Sequence, residues 1–150
     1  MKILGHPVHI MLIHFPSALF PMDFACSILA FYTGNTSFVE ASFFALAGGV
    51  LIGCLAIATG AFDLIGVAEE KPLALNKALI HGGINLTVVI AYSVLAFQAY
   101  KAFPDLQPDD ITRLIIKGTL VTLMIGGNYL GGSLILKYRV GLEKSESTIQ

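Results

Sequence analysis

Long apolar runs alternate with short polar stretches along the chain. Four of the runs are long enough to cross a bilayer, whose apolar core of about 30 Å takes roughly 20 helical residues. They cover approximately residues 8–32, 41–66, 78–100 and 111–136. Turn-forming or acidic residues separate them, such as Gly34-Asn35 and the segment 103–110. We therefore predict an all-α fold, with one domain over 1–150 in which four helices form an up-and-down membrane bundle.

The composition agrees with an integral membrane protein. Of the 150 residues, 55% are hydrophobic and only 13% are charged, whereas soluble domains carry about 25% charged residues. The net charge of −1 and the lack of a basic stripe argue against binding to nucleic acid. The sequence contains no GxSxG, HExxH or phosphate-binding glycine motif, so we do not expect an enzyme acting alone.

The distribution of Lys and Arg predicts the orientation. The side holding the N-terminus, the second connection and the C-terminus carries six cations, and the opposite side carries three. Cytoplasmic loops carry the excess of such residues, so both termini are predicted to lie inside. The six are Lys2, Lys71, Lys77, Lys137, Arg139 and Lys144; the three are Lys101, Arg113 and Lys117.

Two prolines and an aspartate interrupt the first apolar run. Pro16 and Pro21 each remove a backbone hydrogen bond, which predicts a kinked or partly opened helix. Asp23 lies about two thirds of the way along the same run. A carboxyl at this depth either joins helices through hydrogen bonds or belongs to a proton path, and the sequence leaves both readings open.

The histidines concentrate at one end of the predicted bundle. His6, His9 and His14 open the first run, and His81 opens the third. In an up-and-down bundle the starts of these two helices share a face with the ends of the second and fourth helices. Asp63, near the end of the second helix, therefore reaches the same layer, together with Asn85 and the glycines between residues 126 and 132.

Histidines on facing helices, with glycines beside them, are typical of a b-type haem site. We predict His14 and His81 as axial ligands, with His9 as the alternative first ligand. The cations expected near the propionates are Lys77, Lys137 and Arg139. On this reading the chain is an electron-transfer component of the membrane.

Three other readings remain open. The set His6, His9, His14, Asp63 and His81 could instead bind zinc, iron or copper, since imidazole and carboxylate suit these metals. The histidines could also be interfacial side chains of a non-enzymatic subunit or scaffold, whose small-residue helix faces suit a homo-oligomer or a larger membrane complex. A metal or proton transporter is the third alternative, and Asp23 is its main support.

Several motifs together resemble a known family. They are His6-Pro7-Val8-His9, Leu12-Ile13-His14-Phe15-Pro16, Thr59-Gly60 with Asp63, the histidine of the third helix, and Gly131-Gly132-Ser133-Leu134. The pattern is similar to that of the bacterial membrane-protein family catalogued as domain of unknown function family 2231, over essentially the whole chain. The resemblance implies four helices and a place in the bacterial inner membrane.

The same resemblance implies a function. Some members of the family are joined to Rieske-type iron–sulfur or c-type cytochrome domains, which suggests membrane electron transfer, with electrons here coming from a redox partner or from quinone. By position, His6, His9, His14, Asp63 and His81 match the polar pattern of the family. The chain has Arg139 where that pattern has a histidine, so we do not expect a ligand at this position.

Overall fold

Helices account for nearly all of the described chain. The computed structural model describes residues 2–3, 6–138 and 140, with the backbone only at residues 2, 3, 6, 7 and 70. A two-residue antiparallel hairpin, β1 (Lys2–Ile3) with β2 (His6–Pro7), precedes the helices. These are α1 (Val8–Leu12), α2 (His14–Thr33), α3 (Thr36–Glu70), α4 (Pro72–Ala102) and α5 (Ile111–Tyr138). Four spans are long and apolar enough to cross a membrane, α1 and α2 forming the first, which confirms the all-α prediction.

The first span is interrupted at Ile13, between α1 and α2. The cause is Pro16, which has no N–H to donate to the carbonyl four residues earlier. Ser17 instead donates from both its backbone N–H and its hydroxyl to the Ile13 carbonyl, at 3.2 and 2.7 Å. Pro21 lies inside α2 without ending it. The predicted opening of this helix is therefore confined to one residue.

Short connections hold the spans antiparallel. Gly34 ends α2 in a left-handed conformation, φ 65°, which favours glycine, and its N–H reaches the Ala30 carbonyl. The next residue, Asn35, caps α3 by accepting a hydrogen bond from the Ser37 N–H at 2.9 Å. Only two residues therefore separate α2 from α3.

The second connection differs from the sequence prediction. The predicted spans ended at residue 66 and resumed at residue 78, but α3 continues to Glu70 and α4 begins at Pro72, leaving only Lys71 between them. Proline is favoured at the first position of a helix, where its missing N–H costs nothing. The earlier start of α4 places His81 about 14 Å from the beginning of its helix, deeper than the predicted boundary implied.

The four spans form a closed ring, in which α2 packs against α3 and α5, and α4 packs against α3 and α5. A glycine permits the closest approach: a Cβ on Gly49 would lie 2.6 Å from a ring carbon of Phe20. Phe20 in turn stacks on Tyr92, with ring centroids 3.9 Å apart. These rings belong to the central apolar layer, which consists of Phe20, Leu46, Val88, Val89, Tyr92, Leu120 and Met124.

A second apolar cluster closes the end of the bundle at which α4 begins. It consists of Val67, Ala74, Ala78 and Leu134. The outward faces of all spans carry large exposed hydrophobic side chains, such as Leu51 and Leu136. Exposed faces of this kind match a lipid environment. Two polar layers lie along the bundle axis, one on each side of the central apolar layer.

Candidate functional site

His9 is fixed against α3 by one hydrogen bond and one glycine. Its Nδ1 lies 2.8 Å from the carbonyl oxygen of Ala56. Because a carbonyl only accepts, Nδ1 carries the proton and Nε2 keeps its lone pair. The ring lies over Gly60, where a Cβ would stand 2.8 Å from Cε1 of His9. The imidazole is thereby held in one tautomer and one orientation.

His81 repeats this arrangement on the opposite pair of helices. Its Nδ1 lies 2.7 Å from the carbonyl oxygen of Gly127, on α5. The ring lies over Gly131, where a Cβ would stand 2.7 Å from Cε1 of His81. Asn85, one turn later on α4, donates to the His81 carbonyl at 2.9 Å. His81 therefore also presents an unprotonated Nε2.

The two imidazoles belong to one layer of the bundle, which we call the histidine layer (His9 and His81 with Gly60 and Gly131). The central apolar layer bounds them on one side and the cluster around Ala78 on the other. Histidines that bind metals commonly donate their second N–H to a carbonyl or carboxylate. The layer thus offers two oriented nitrogen donors in an apolar environment.

His14 lies elsewhere. It is the first residue of α2 and is exposed on the outside of the bundle. His9 contacts α3 at Ala56 and Gly60, whereas the side chain of His14 is exposed. The predicted ligand pair of His14 and His81 stays a prediction, and the alternative first ligand, His9, is the one that faces the neighbouring helix.

The wider metal cluster receives no support from the described side chains. Among them, no three His, Cys, Asp or Glu side chains come together in a way that could hold a metal ion. Asp63 is a partly exposed residue of α3, one turn beyond the histidine layer. The side chain of His6 lies outside the described residues. Cys26 and Cys54 are both free thiols.

Two of the three cations predicted at the rim, Lys77 and Lys137, lie at the end of the bundle beyond the histidine layer. Lys77 is one turn before His81, with its Nζ 5.5 Å from the centre of the Tyr138 ring. Lys137 is exposed in the last turn of α5. Lys71 donates to the carbonyl of Tyr138 at 2.8 Å. Arg139, the third predicted cation, lies outside the described residues.

A buried charged cluster, which the sequence analysis did not assemble, lies on the other side of the central apolar layer. Lys117 Nζ is 2.7 Å from Oδ1 of Asp23 and 2.7 Å from Oδ2 of Asp109. It also donates to Ser27 Oγ at 2.8 Å, while Ser42 donates to Asp23 Oδ1 at 2.6 Å. We call these five residues the charged cluster. It joins α2, α3, α5 and the loop before α5.

The charged cluster adjoins a cavity of about 290 Å³ at the end of the bundle where α5 begins. Lys117 and Asp109 line this cavity, and Asp105, Asp110 and Arg113 contribute further charge. The sequence analysis counted Lys117 among the three cations on the side opposite the termini, but its side chain is only 3% exposed. The sequence signal for this burial was its position on an apolar helix face, four residues after Arg113.

Comparison with known proteins identifies the family. The model of a family described as a predicted membrane protein, DUF2231, matches residues 5–144. The chain belongs to the DUF2231 family. The match spans the histidine layer and the charged cluster, and it confirms the resemblance seen in the motifs. Among curated proteins and solved structures, nothing matches this DUF2231 chain.

Proposed function

We propose that this DUF2231 protein is a small membrane cytochrome that carries electrons on a b-type haem, with His9 and His81 as axial ligands. One observation carries the proposal: both imidazoles donate Nδ1–H to a main-chain carbonyl and keep Nε2 free to bind iron. The haem would supply reversible one-electron chemistry, whose potential depends on axial ligands and burial.

The surroundings of the two imidazoles support a flat, apolar ligand. Gly82 and Gly132, next in sequence to His81 and Gly131, have nothing within 4 Å of where a Cβ would stand. Backbone without side chains leaves room for a planar ring close to the helices. The apolar layers on both sides would keep water away from the iron. Exclusion of water influences the redox potential of a bound haem.

The polar rim supports the same proposal. Lys77 and Lys137 lie at the end of the bundle closer to the histidine layer, where two propionates would point towards water. The excess of Lys and Arg at this end supports a cytoplasmic location for it. The electron donor or acceptor in the bacterial inner membrane would then be a redox partner or quinone.

The direct test compares three alanine variants of the full-length protein, purified in mild detergent from cells supplied with haem. His9→Ala and His81→Ala each remove one axial nitrogen, so bound haem falls from about one per chain to nearly none. His14→Ala is the matched control, since its side chain is exposed on the outside of α2, and it keeps the wild-type haem content. Haem is measured against protein as the pyridine haemochrome.

Each outcome has a definite meaning when helix content and elution volume are unchanged. Loss of haem in His14→Ala with retention in His9→Ala would identify His14 in place of His9 as the first ligand. This result would contradict the proposed pair. Equal haem content in all three variants would remove the histidine layer from consideration as a haem site. A protein without haem under every condition would favour the alternative function, a structural subunit of a larger membrane complex.

A further inference from the structure

The outward face of α5 carries an exposed tyrosine at the depth of the membrane interior. Tyr129 is 79% exposed and has no hydrogen-bond partner among the described residues. The part of α5 without charged residues runs from residue 118 to residue 136. At about 1.5 Å per residue this part is about 28 Å long, which matches the apolar core of a bilayer. Tyr129 lies about 3 Å from its middle.

The hydroxyl of Tyr129 cannot reach either membrane surface. In an α-helix the Cα–Cβ bond tilts towards the N-terminus, so the ring of Tyr129 points back towards the level of residue 126. This direction keeps the hydroxyl near the middle of the apolar core. A hydroxyl in hydrocarbon without a hydrogen bond is costly. In the membrane, Tyr129 therefore needs an acceptor that the described residues of its own chain do not supply.

The other four tyrosines have ordinary positions. Tyr32, Tyr100 and Tyr138 each lie in the last turn of a helix, where tyrosine is common at the membrane surface. Tyr92 is fully buried, and its hydroxyl donates to a main-chain carbonyl of α5 at 3.4 Å. Of the five tyrosines, only Tyr129 combines an exposed ring with a position near the middle of a span.

Two small residues lie beside Tyr129 on the same face. Thr122, Gly126 and Tyr129 are four and three residues apart, so they form one exposed stripe, which we call the α5 outer face. A Cβ at Gly126 would meet nothing within 4 Å, so packing within the bundle does not require this glycine. Small residues four apart are common where membrane helices approach closely. Gly126→Ala would keep this surface small.

We propose that the α5 outer face is the contact between two copies of this chain, related by a twofold axis along the membrane normal. Such a contact uses the same patch on both copies. The patch is self-complementary, because it carries a donor without an acceptor and, at Gly126, backbone that no side chain covers. The hydroxyl of Tyr129 lies at the level of the partner's Gly126, where main-chain carbonyls keep a second lone pair that can accept it.

The outward face of α4 lacks the decisive feature. Gly83 and Thr87 are exposed there with the same four-residue spacing, and the Thr87 hydroxyl donates to the Gly83 carbonyl at 2.9 Å. Three residues later on this face stands Ile90, which is apolar and needs no partner. Small residues alone do not distinguish the two faces. The contact is assigned to α5 because of Tyr129.

The test is the oligomeric state of the full-length protein in mild detergent, measured by sedimentation equilibrium. The wild-type chain should be a dimer. Tyr129→Phe removes two hydrogen bonds per dimer, which at the strength measured between membrane helices should raise the dissociation constant about tenfold. Tyr100→Phe, the same change at an exposed tyrosine near the end of α4, should leave the dissociation constant unchanged.

A bulky side chain provides the second test. Thr122→Leu should leave the chain monomeric at concentrations at which the wild type is dimeric, whereas Thr87→Leu should leave the dimer intact. A monomeric wild type would overturn the proposal and assign the face to a helix of another protein. Equal effects of the two leucine variants, or an unchanged dissociation constant in Tyr129→Phe, would overturn it as well. The readout uses no residue of the histidine layer and is independent of the haem proposal.

Discussion

At His9 and His81, the backbone of the neighbouring helix determines the tautomer and the position of each imidazole. The carbonyls of Ala56 and Gly127 fix the proton on Nδ1, and Gly60 and Gly131 provide the recess in which each ring lies. Without the glycine, the ring could not approach the carbonyl to hydrogen-bond distance. The glycine is therefore as important to the donor geometry as the histidine itself.

The recess at Gly131 gives a matched pair of substitutions. A Cβ at Gly131 would lie 2.7 Å from Cε1 of His81, whereas a Cβ at Gly126, an exposed glycine of the same helix, meets nothing within 4 Å. Overpacking of this kind costs about 1–3 kcal/mol. We expect Gly131→Ala to lower the unfolding temperature in detergent and to reduce haem content. Gly126→Ala should keep both at the wild-type level, and equal effects of the two variants would contradict the proposed recess.

Residue roles were only partly predictable from the sequence. The concentration of histidines at one end of the bundle was visible, but His9 contacts α3 whereas His14, five residues later, is exposed. Which of them faces the bundle depends on how α1 packs against α3. The charged cluster was harder still to predict, because Lys117 and Asp23 are 94 residues apart and meet only through tertiary packing.

At the scale of elements, the two helical hairpins use the same local design. In α1 with α3, the ring of His9 lies over Gly60, four residues after its acceptor Ala56; in α4 with α5, the ring of His81 lies over Gly131, four residues after Gly127. The four-residue spacing is one helical turn, which places carbonyl and recess on the same face. Each helix pair therefore contributes one oriented imidazole.

The charged cluster connects α2, α3 and α5 through polar contacts. These contacts lead to a prediction about stability. Lys117→Met leaves the fully buried Asp23 carboxylate without its cation, which typically costs about 3–5 kcal/mol. We expect a correspondingly lower free energy of unfolding in detergent, with most of it restored by adding Asp23→Asn. Lys101→Met is the control on an exposed side chain, with a change of at most about 0.5 kcal/mol.

The result would be read from denaturant or thermal unfolding monitored by helix content. A Lys117→Met protein as stable as Lys101→Met would mean that the contacts of Lys117 contribute little. Failure of Asp23→Asn to restore stability would mean that the loss came from packing and not from the unbalanced charge. Either result would contradict the electrostatic account of the charged cluster.

The boundaries of the helices were harder to predict from the sequence than the spans themselves. The four spans followed from hydropathy because the bilayer sets a minimum length. The short connection at Lys71 could not be predicted from hydropathy. Charged residues such as Glu69 are also common in a helix that extends beyond the apolar core of the bilayer. Asp110 caps α5 by accepting a hydrogen bond from the Arg113 N–H at 2.8 Å. Its neighbour Asp109 instead pairs with Lys117.

At the scale of the whole molecule, the bundle is a stack of four layers. From the end where α4 begins, they are the apolar cluster around Ala78, the histidine layer, the central apolar layer and the charged cluster with its cavity. The stacked rings of Phe20 and Tyr92 separate the two polar layers. The two polar layers therefore occupy separate places in one small bundle.

The central claim is that the histidine layer holds a b-type haem. The most direct measurement is the absorption spectrum of the purified wild-type protein, first oxidised and then reduced with dithionite. Two axial imidazoles predict a strong Soret band and sharp α and β bands on reduction, at about one haem per chain. A colourless protein from haem-replete cells, or a high-spin spectrum lacking these bands, would contradict the claim.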